Sequence, residues 1–582
     1  MIKILKNLKT KDWLLILLEV VILCSCVYLE LLLPDYMKDI TVIIQSGTNS
    51  VSDVWVAGGK MIACALGSTV GSIISTFISS YVSADLSYET REKLFNHIMD
   101  LDTTRMKNFS TASLITRTTN DITQIQMIIS MGLMMLIKAP ILAITAIIKI
   151  VNKSLELSLL TAAAVVIIVG TILIIMYLVL PRFKLVQKLT DDVNRIARET
   201  LTGNKVVRAF NAEDYEQEKF DEKNNELINT QIFNRTAFSF MSPVMSLVMS
   251  SLTLFIYWIG ASLINGAELP NKVEVFGNIM VFSSYAMYVI QAFMFLAMIF
   301  MMLPRAQVSA KRINEVMETP LAINEGTLSE VKEEGTLEFK DVSFHYGDGK
   351  DVLENITFKV NKGETIAFIG ATGCGKSTIV GLASRLYDAS NGEVLVDGVN
   401  IKDLTFDTLY SKVALVSQKA ELFSDTIKDN VKFGKNDATD EDVKNAISIA
   451  QAEEFVSKLE NKENHMIAER GNNLSGGQKQ RMCIARALVR NSEIVIFDDS
   501  FSALDYKTDK NLRNDLKTKL KGTTVVIVAQ RIGTIKNADK IVVLDHGKIV
   551  GMGKHEELLK NCKVYYEIAT SQLDENELKG GK

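Results

Sequence analysis

The chain has 582 residues, of which 48% are hydrophobic and 23% charged, and its mean hydropathy is +0.16. A globular share of charge does not normally go with positive hydropathy, so two unlike parts are averaged here. Disorder and collagen-like structure are excluded by 33 Gly against only 7 Pro. A net charge of −4 supplies no field for nucleic acid, and none is expected as a partner. Six cysteines are too few for a disulfide framework at this length, and no Cys-x-x-Cys pair points to a metal.

The two parts meet near residue 305. Before it, apolar runs at about 13–33, 54–82, 126–149, 155–180, 237–264 and 274–303 are long enough to cross a bilayer, which takes roughly 20 residues. The first is too long for a cleaved signal peptide, and it contains Glu19 and Glu30. Lys3, Lys6, Lys9 and Lys11 precede it, whereas the next loop carries only Lys38. That asymmetry places the N-terminus in the cytoplasm, and six spans return the chain to the same side. The polar segments 83–125 and 181–236 keep a helical spacing, as in Leu86, Leu94, Ile98 and Leu101. They read as rigid extensions of the spans, because structureless loops of roughly 40–55 residues are rare in compact proteins. Glu19, Glu30 and Lys138 lie at membrane depth, and snorkelling to the interface explains Glu30 as readily as burial does. Met280, Met287, Met294 and Met298 in the sixth run read as lipid contact or core filler, with an adaptable substrate wall as the sharper alternative.

From residue 335 the pattern becomes α/β. The strand Ile366–Ile369 runs into Gly370-Ala371-Thr372-Gly373-Cys374-Gly375-Lys376-Ser377-Thr378 and then into an apolar-periodic helix. This is G-x-x-x-x-G-K-S in strand–loop–helix context. Its glycines let backbone N–H groups close around phosphate oxygens, Lys376 reaches the β- and γ-phosphates, and Ser377 ligates Mg²⁺. ATP and Mg²⁺ are therefore the expected cofactors. A second strand, Ile494–Phe497, ends in Asp498-Asp499, where Asp498 is placed to hold Mg²⁺. Cys374, inside the loop beside Lys376, reads either as a space-filler or as a reactive thiol whose modification by a maleimide blocks ATP binding unless nucleotide protects it.

Between these motifs stands Leu474-Ser475-Gly476-Gly477-Gln478. With it the whole chain resembles an ATP-binding-cassette (ABC) exporter half. The fold implied is a six-span membrane α-helical domain, type IV-like, over about 1–320, joined to an α/β P-loop NTPase domain of ABC type over 335–575. Further motifs carry the resemblance: Tyr346 would stack on adenine, Gln418 matches the Q-loop that reaches the metal and the attacking water, and Asp505 matches the D-loop. Glu469-Arg470-Gly471 resembles an exporter-specific loop, and Ser113–Arg117 and Val206–Glu213 resemble the segments around two coupling helices. The family implies a dimer with each ATP held between one chain's P-loop and the other's Ser475–Gln478 signature. It also implies a multi-pass protein of a bacterial cell membrane with its nucleotide domain in the cytoplasm.

Two positions depart from the family pattern. Asp499 stands where a water-activating Glu is usual, one methylene short, and a displacement of about 1 Å costs on the order of a hundredfold in rate. Gln530 stands where a switch His is usual, and an amide cannot carry a proton as imidazole does. The expectation is a degenerate catalytic site in a heterodimer, with this chain's intact signature completing a hydrolytic site on a second half-transporter. The alternatives are a homodimeric exporter and an ATP-sensing, channel-like subunit; six spans argue against a soluble ABC ATPase. No N-terminal peptidase domain and no large outer insertion are expected, which fits drugs, lipids or small peptides as cargo, multidrug efflux being favoured.

Overall fold

The computed structural model describes residues 2–573 except 47–50, 152, 267, 269–271, 333–334 and 348. Its chain divides into two units, one of Met1–Met99 with Thr111–Glu318 and one of Asp100–Ser110 with Thr319–Lys582. The last residues of the domain expected over 335–575 lie outside the described residues.

A bilayer offers no water to unpaired N–H and C=O groups, so an apolar chain crosses it as helix. The first unit holds six helical stretches long and apolar enough to do so: Thr10–Gln45, Val51–Asp100, Thr111–Val151, Leu155–Thr202, Glu213–Gly266 and Lys272–Met317. We label the helices α1 (Thr10–Ser46), α2 (Val51–Asp100), α3 (Ile122–Val151), α4 (Leu155–Thr202), α5 (Glu213–Ser239), α6 (Met241–Gly266) and α7 (Lys272–Met317). At 1.5 Å per residue the 50 residues of α2 extend about 75 Å, well beyond a hydrocarbon layer of about 30 Å. The polar continuations stay helical over most of their length, with breaks at 101–102, 107–110, 203 and 210–212.

The core of this unit brings Phe282, Tyr285 and Val289 of α7 against Leu142 and Ala146 of α3 and Val27 and Leu31 of α1. Pro34 sits inside α1 and has no N–H to give the carbonyl four residues earlier, that of Glu30. The Tyr288 hydroxyl donates to that carbonyl at 3.5 Å, and the Tyr285 hydroxyl donates to the Leu31 carbonyl at 3.0 Å. Helix α7 thus supplies from outside a bond that α1 cannot make itself.

The side chain of Glu30 does not snorkel. Lys138 Nζ donates to Glu30 Oε1 at 2.7 Å and Ser68 Oγ donates to the same atom at 3.0 Å. The two charged side chains are 14% and 19% exposed, so the pair joins α1, α2 and α3 inside the helix bundle. Near the other end, a π-helical turn, Arg117–Asp121, is tied to α7 by Arg117–Glu315 at 2.9 Å and Asp121–Arg312 at 3.2 Å.

In the second unit, β3 (Thr365–Gly370), β6 (Val413–Val416), β7 (Ile494–Asp498), β8 (Thr524–Val528) and β9 (Lys540–Asp545) form a parallel sheet. Its order is β10-β9-β3-β8-β7-β6, with β10 (Lys548–Gly553) antiparallel at the edge. An antiparallel sheet of order β2-β1-β4-β5 uses β1 (Leu337–His345), β2 (Asp351–Val360), β4 (Asn391–Val396) and β5 (Val399–Asn400). Every residue of β7 and β8 is buried, as expected for a sheet covered on both faces. Two apolar cores lie on the two faces: Ile366 and Phe368 point into one, Ala367 and Ile369 into the other. Lys412 is buried with Asp397 and Glu493 at 2.7 and 2.9 Å, clamping the start of β6 to its neighbours.

Lys138→Met leaves the Glu30 carboxylate without its cation and costs on the order of 3 kcal/mol. Thermal unfolding of the full chain in nanodiscs measures this, and adding Glu30→Gln to Lys138→Met restores most of the loss.

Candidate nucleotide site

The buried strand β3 delivers the chain into Gly370–Gly375, and α8 (Lys376–Ala383) begins directly after. Gly375 has a φ of +100°, and a Cβ there would lie 2.5 Å from Leu353 Cδ2. Glycine is required on both counts. Gly373 is also left-handed, at +85°, but a Cβ there would meet nothing within 4 Å. The loop therefore borders open space on that side, the shape a phosphate group needs. The first N–H groups of a helix have no intrahelical acceptor and favour an anion, and α8 presents its first turn at this loop.

Lys376 is 9% exposed, and its Nζ donates to the Gly370 and Ala371 carbonyls at 2.8 Å each. Asp498 is the last residue of β7, in register with Val528 of β8. Ser377 Oγ donates to Asp498 Oδ1 at 3.2 Å. Burial pushes the Asp498 carboxyl above the usual range; the Ser377 bond opposes this, the neighbouring Asp499 adds to it and the Lys376 charge opposes it. Ser377 and Asp498 offer hard oxygen donors of the kind Mg²⁺ takes. No group of three His, Cys, Asp or Glu fit to hold a metal occurs among the described residues, so phosphate oxygens and water would complete the shell.

Three residues far apart in sequence converge beside them. Gln530 Nε2 donates to Asp499 Oδ2 at 2.9 Å, and Gln418 Nε2 donates to the same oxygen at 3.3 Å. Burial raises the Asp499 carboxyl, while these amides and the charges of Lys376 and Arg531 pull it back, leaving it raised overall. Its backbone is left-handed, with φ of +49°, a conformation Asp and Asn tolerate better than other L-residues. Tyr346 stands at the rim, 37% exposed, with its hydroxyl 3.0 Å from that of Thr378. Phe344 and Tyr387 hold its ring edge-on, at centroid distances of 4.8 and 5.3 Å.

The signature lies elsewhere on the unit. Ser475 and Gln478 form a reciprocal capping box at the start of α9 (Gly476–Leu488): the Ser475 N–H donates to Gln478 Oε1 at 2.8 Å and the Gln478 N–H to Ser475 Oγ at 3.4 Å. A Cβ at Gly476 would meet nothing within 4 Å, whereas one at Gly477 would lie against the Ala503 carbonyl, beside the D-loop. Asp505 caps α10 (Tyr506–Lys519) through the Thr508 N–H at 3.0 Å. Among the described residues, no hydrogen bond joins Ser475–Gln478 to the P-loop.

Sequence reasoning grouped Asp499, Gln530 and Gln418 at one catalytic centre; what it missed is that both amides bond the same Asp499 oxygen across 81 and 31 residues. For Cys374 the space-filling reading fits. That thiol is 5% exposed and packs into the core, 3.6 Å from Lys376 Nζ, so only its backbone belongs to the loop's phosphate side.

A strand, a glycine loop and a helix beside a strand-end Asp define a P-loop ATPase unit, here in one chain with six membrane-type helices. Residues 14–293 match the ABC transporter transmembrane region and residues 353–502 match the ABC transporter domain. An uncharacterised ABC transporter ATP-binding protein of Mycobacterium tuberculosis is 34% identical over 523 residues, 88% of this chain and 87% of that one. An ATP-dependent lipid A-core flippase of Hahella chejuensis is 32% identical over 495 residues, 84% and 83% of the two chains. The solved structure of a bacterial Atm1-family ABC exporter with ATP bound superposes with a TM-score of 0.79 at 23% identity, covering 97% of this chain and 98% of that one. The chain belongs to the ABC transporter family, as an exporter-type half-transporter with membrane and ATP-binding domains fused.

Gly375→Ala forces a strained φ and a clash with Leu353, and ATP affinity falls at least tenfold in a filter-binding or fluorescence assay. Maleimide reacts slowly with Cys374 in the folded chain and at the same rate with and without ATP, because protein packing shields the thiol; labelling followed by mass spectrometry measures both rates.

Proposed function

We propose that this chain is the slow, ATP-retaining half of a heterodimeric ABC exporter. Its P-loop binds ATP with Mg²⁺ held by Ser377, Asp498 and Gln418, while Tyr346 stacks on adenine. Its signature, Ser475–Gln478 with Asp505 nearby, completes the second subunit's site, where most hydrolysis occurs. The carrying observation is the shared oxygen at Asp499. Both amides that could position water or γ-phosphate donate to Asp499 Oδ2, and a carboxylate so engaged, on a side chain one methylene short, is a poor base for water. The exposed signature, free of hydrogen bonds to its own P-loop among the described residues, supports a role toward another chain.

The N-terminus and nucleotide domain face the cytoplasm of a bacterial cell, following the basic residues before α1. The cargo is hydrophobic or amphipathic: drugs, lipids or small peptides. ATP closure of the paired nucleotide domains favours an outward-facing cavity, and hydrolysis resets it, a population shift driven by differential ATP binding. The relative named as a lipid flippase makes amphipathic cargo the first class to screen.

Purified alone, the chain binds Mg²⁺-ATP but turns it over slowly; brisk turnover by a homodimer sinks the proposal. In the reconstituted pair, Ser475→Ala removes most ATPase activity, whereas Asp499→Asn changes it little. Asp499→Glu with Gln530→His raises hydrolysis at this chain's site by on the order of a hundredfold. Asp499→Glu alone gives far less, because the left-handed backbone penalises Glu by about 1 kcal/mol and Gln530 still holds the carboxylate. A phosphate-release assay reads each case.

A further inference from the structure

Helix α2 carries Ser68, Ser72, Ser75, Ser79, Ser83 and Ser87 at intervals of three or four residues, so one face is lined with hydroxyls. All but Ser72 are buried, Ser75 and Ser79 almost completely. Opposite them, in the apolar stretch of α1, stands Glu19 with 0% exposure. Ser75 Oγ and Ser79 Oγ both donate to Glu19 Oε1, at 3.0 and 2.5 Å. Glu19 Oε2 is buried and has no hydrogen-bond partner among the described residues.

An ionised carboxylate needs several donors on both oxygens when it leaves water, and a carboxylate at membrane depth needs a cation as well. Among the described residues, no charge on any packed element serves Glu19. On α2, Asp85 and Glu89 are taken by Lys9, at 3.2 and 2.7 Å. Lys11 is bonded to the Tyr81 hydroxyl at 2.8 Å. On α3, Lys138 belongs to Glu30. On α7, the hydroxyls of Tyr285 and Tyr288 are engaged by the carbonyls of Leu31 and Glu30. On α1 itself, Asp12 lies two turns earlier, 1% exposed, with Oδ1 also unpartnered. Its other oxygen takes only the Lys9 N–H, at 2.9 Å.

We infer that Glu19 is a proton-binding site of the membrane domain, loaded while α1 and α2 are packed against one another and unloaded when water reaches it. In the packed state an O–H bond forms on Oε2 with a proton from water, and Oε1 keeps the two serine bonds, so no net charge is buried. Water that reaches the carboxyl takes the place of the serine bonds. A hydrated Glu is ionised at neutral pH, so the O–H bond breaks and one proton returns to water; no electrons move. Asp12 and Ser83, both buried, continue the polar residues toward the N-terminal end of α1. The site is independent of whether this chain's ATP site hydrolyses.

The test uses the complete transporter in lipid. Infrared difference spectroscopy at neutral pH should show a protonated-acid carbonyl band that Glu19→Gln abolishes. Ser75→Ala with Ser79→Ala should keep that band but move it to higher frequency, as a carboxyl loses two hydrogen bonds; this variant retains the acid if Glu19→Gln folds poorly. With a pH-sensitive dye, trapping by ATP and vanadate should release about one proton more per wild-type chain than per Glu19→Gln chain. Absence of an acid band sensitive to position 19, an unmoved band in the double serine variant, or equal proton release from wild type and Glu19→Gln would overturn the inference. So would a band that grows when Na⁺ is replaced by an organic cation, since a metal ion would then be the ligand.

Discussion

Parallel pairing of β3, β7 and β8 is the constraint on which the chemistry of the second unit depends. Once Ile366 is in register with Val526 and Phe497 with Ile527, the strands have no freedom to slide, because a one-residue slip would turn every buried side chain to the opposite face. Their carboxyl ends then emerge side by side. One leads into the glycine loop, one into Asp498-Asp499 and one into Gln530. Buried apolar side chains thus position three polar segments that share almost no sequence with one another.

The same constraint separates what could be read from the chain from what could not. The glycine loop, the signature and the strand-end Asp are local features, each set by neighbours a few residues away, and their residue types carry their physics directly. The six apolar runs were legible because a bilayer demands a length and a composition. Their helical ends were not measurable from hydropathy, since a helix continues through polar residues without any change of backbone bonding. Pairings across long separations were hidden. Nothing near Glu30 announces Lys138 or Ser68 as partners, and nothing near Cys374 tells that its sulfur points to the core. In both cases packing decided between side-chain directions that sequence leaves open.

The membrane unit also treats its ionisable groups unevenly. Glu30 is neutralised by Lys138, Asp35 by Lys149 at 3.0 Å, and Asp121 by Arg312. These pairs join different helices and act as fasteners, each favourable only while both partners stay. Glu19 differs in having hydroxyls and, among the described residues, no cation around it. Serine brings hydrogen-bonding capacity without charge, so the face it lines can meet either a neutral acid or water without rebuilding the packing.

Pro34 has a mechanical consequence for α1. By withdrawing one N–H, it leaves the Glu30 carbonyl dependent on a tyrosine hydroxyl that belongs to a different helix. A bond between helices can be exchanged for one to a single water molecule at little enthalpic cost, whereas a bond within a helix cannot be exchanged without unwinding it. Wetting of this spot would therefore free α1 to swivel about its proline while both helices remain fully wound. The hinge is set by hydration, not by loss of secondary structure.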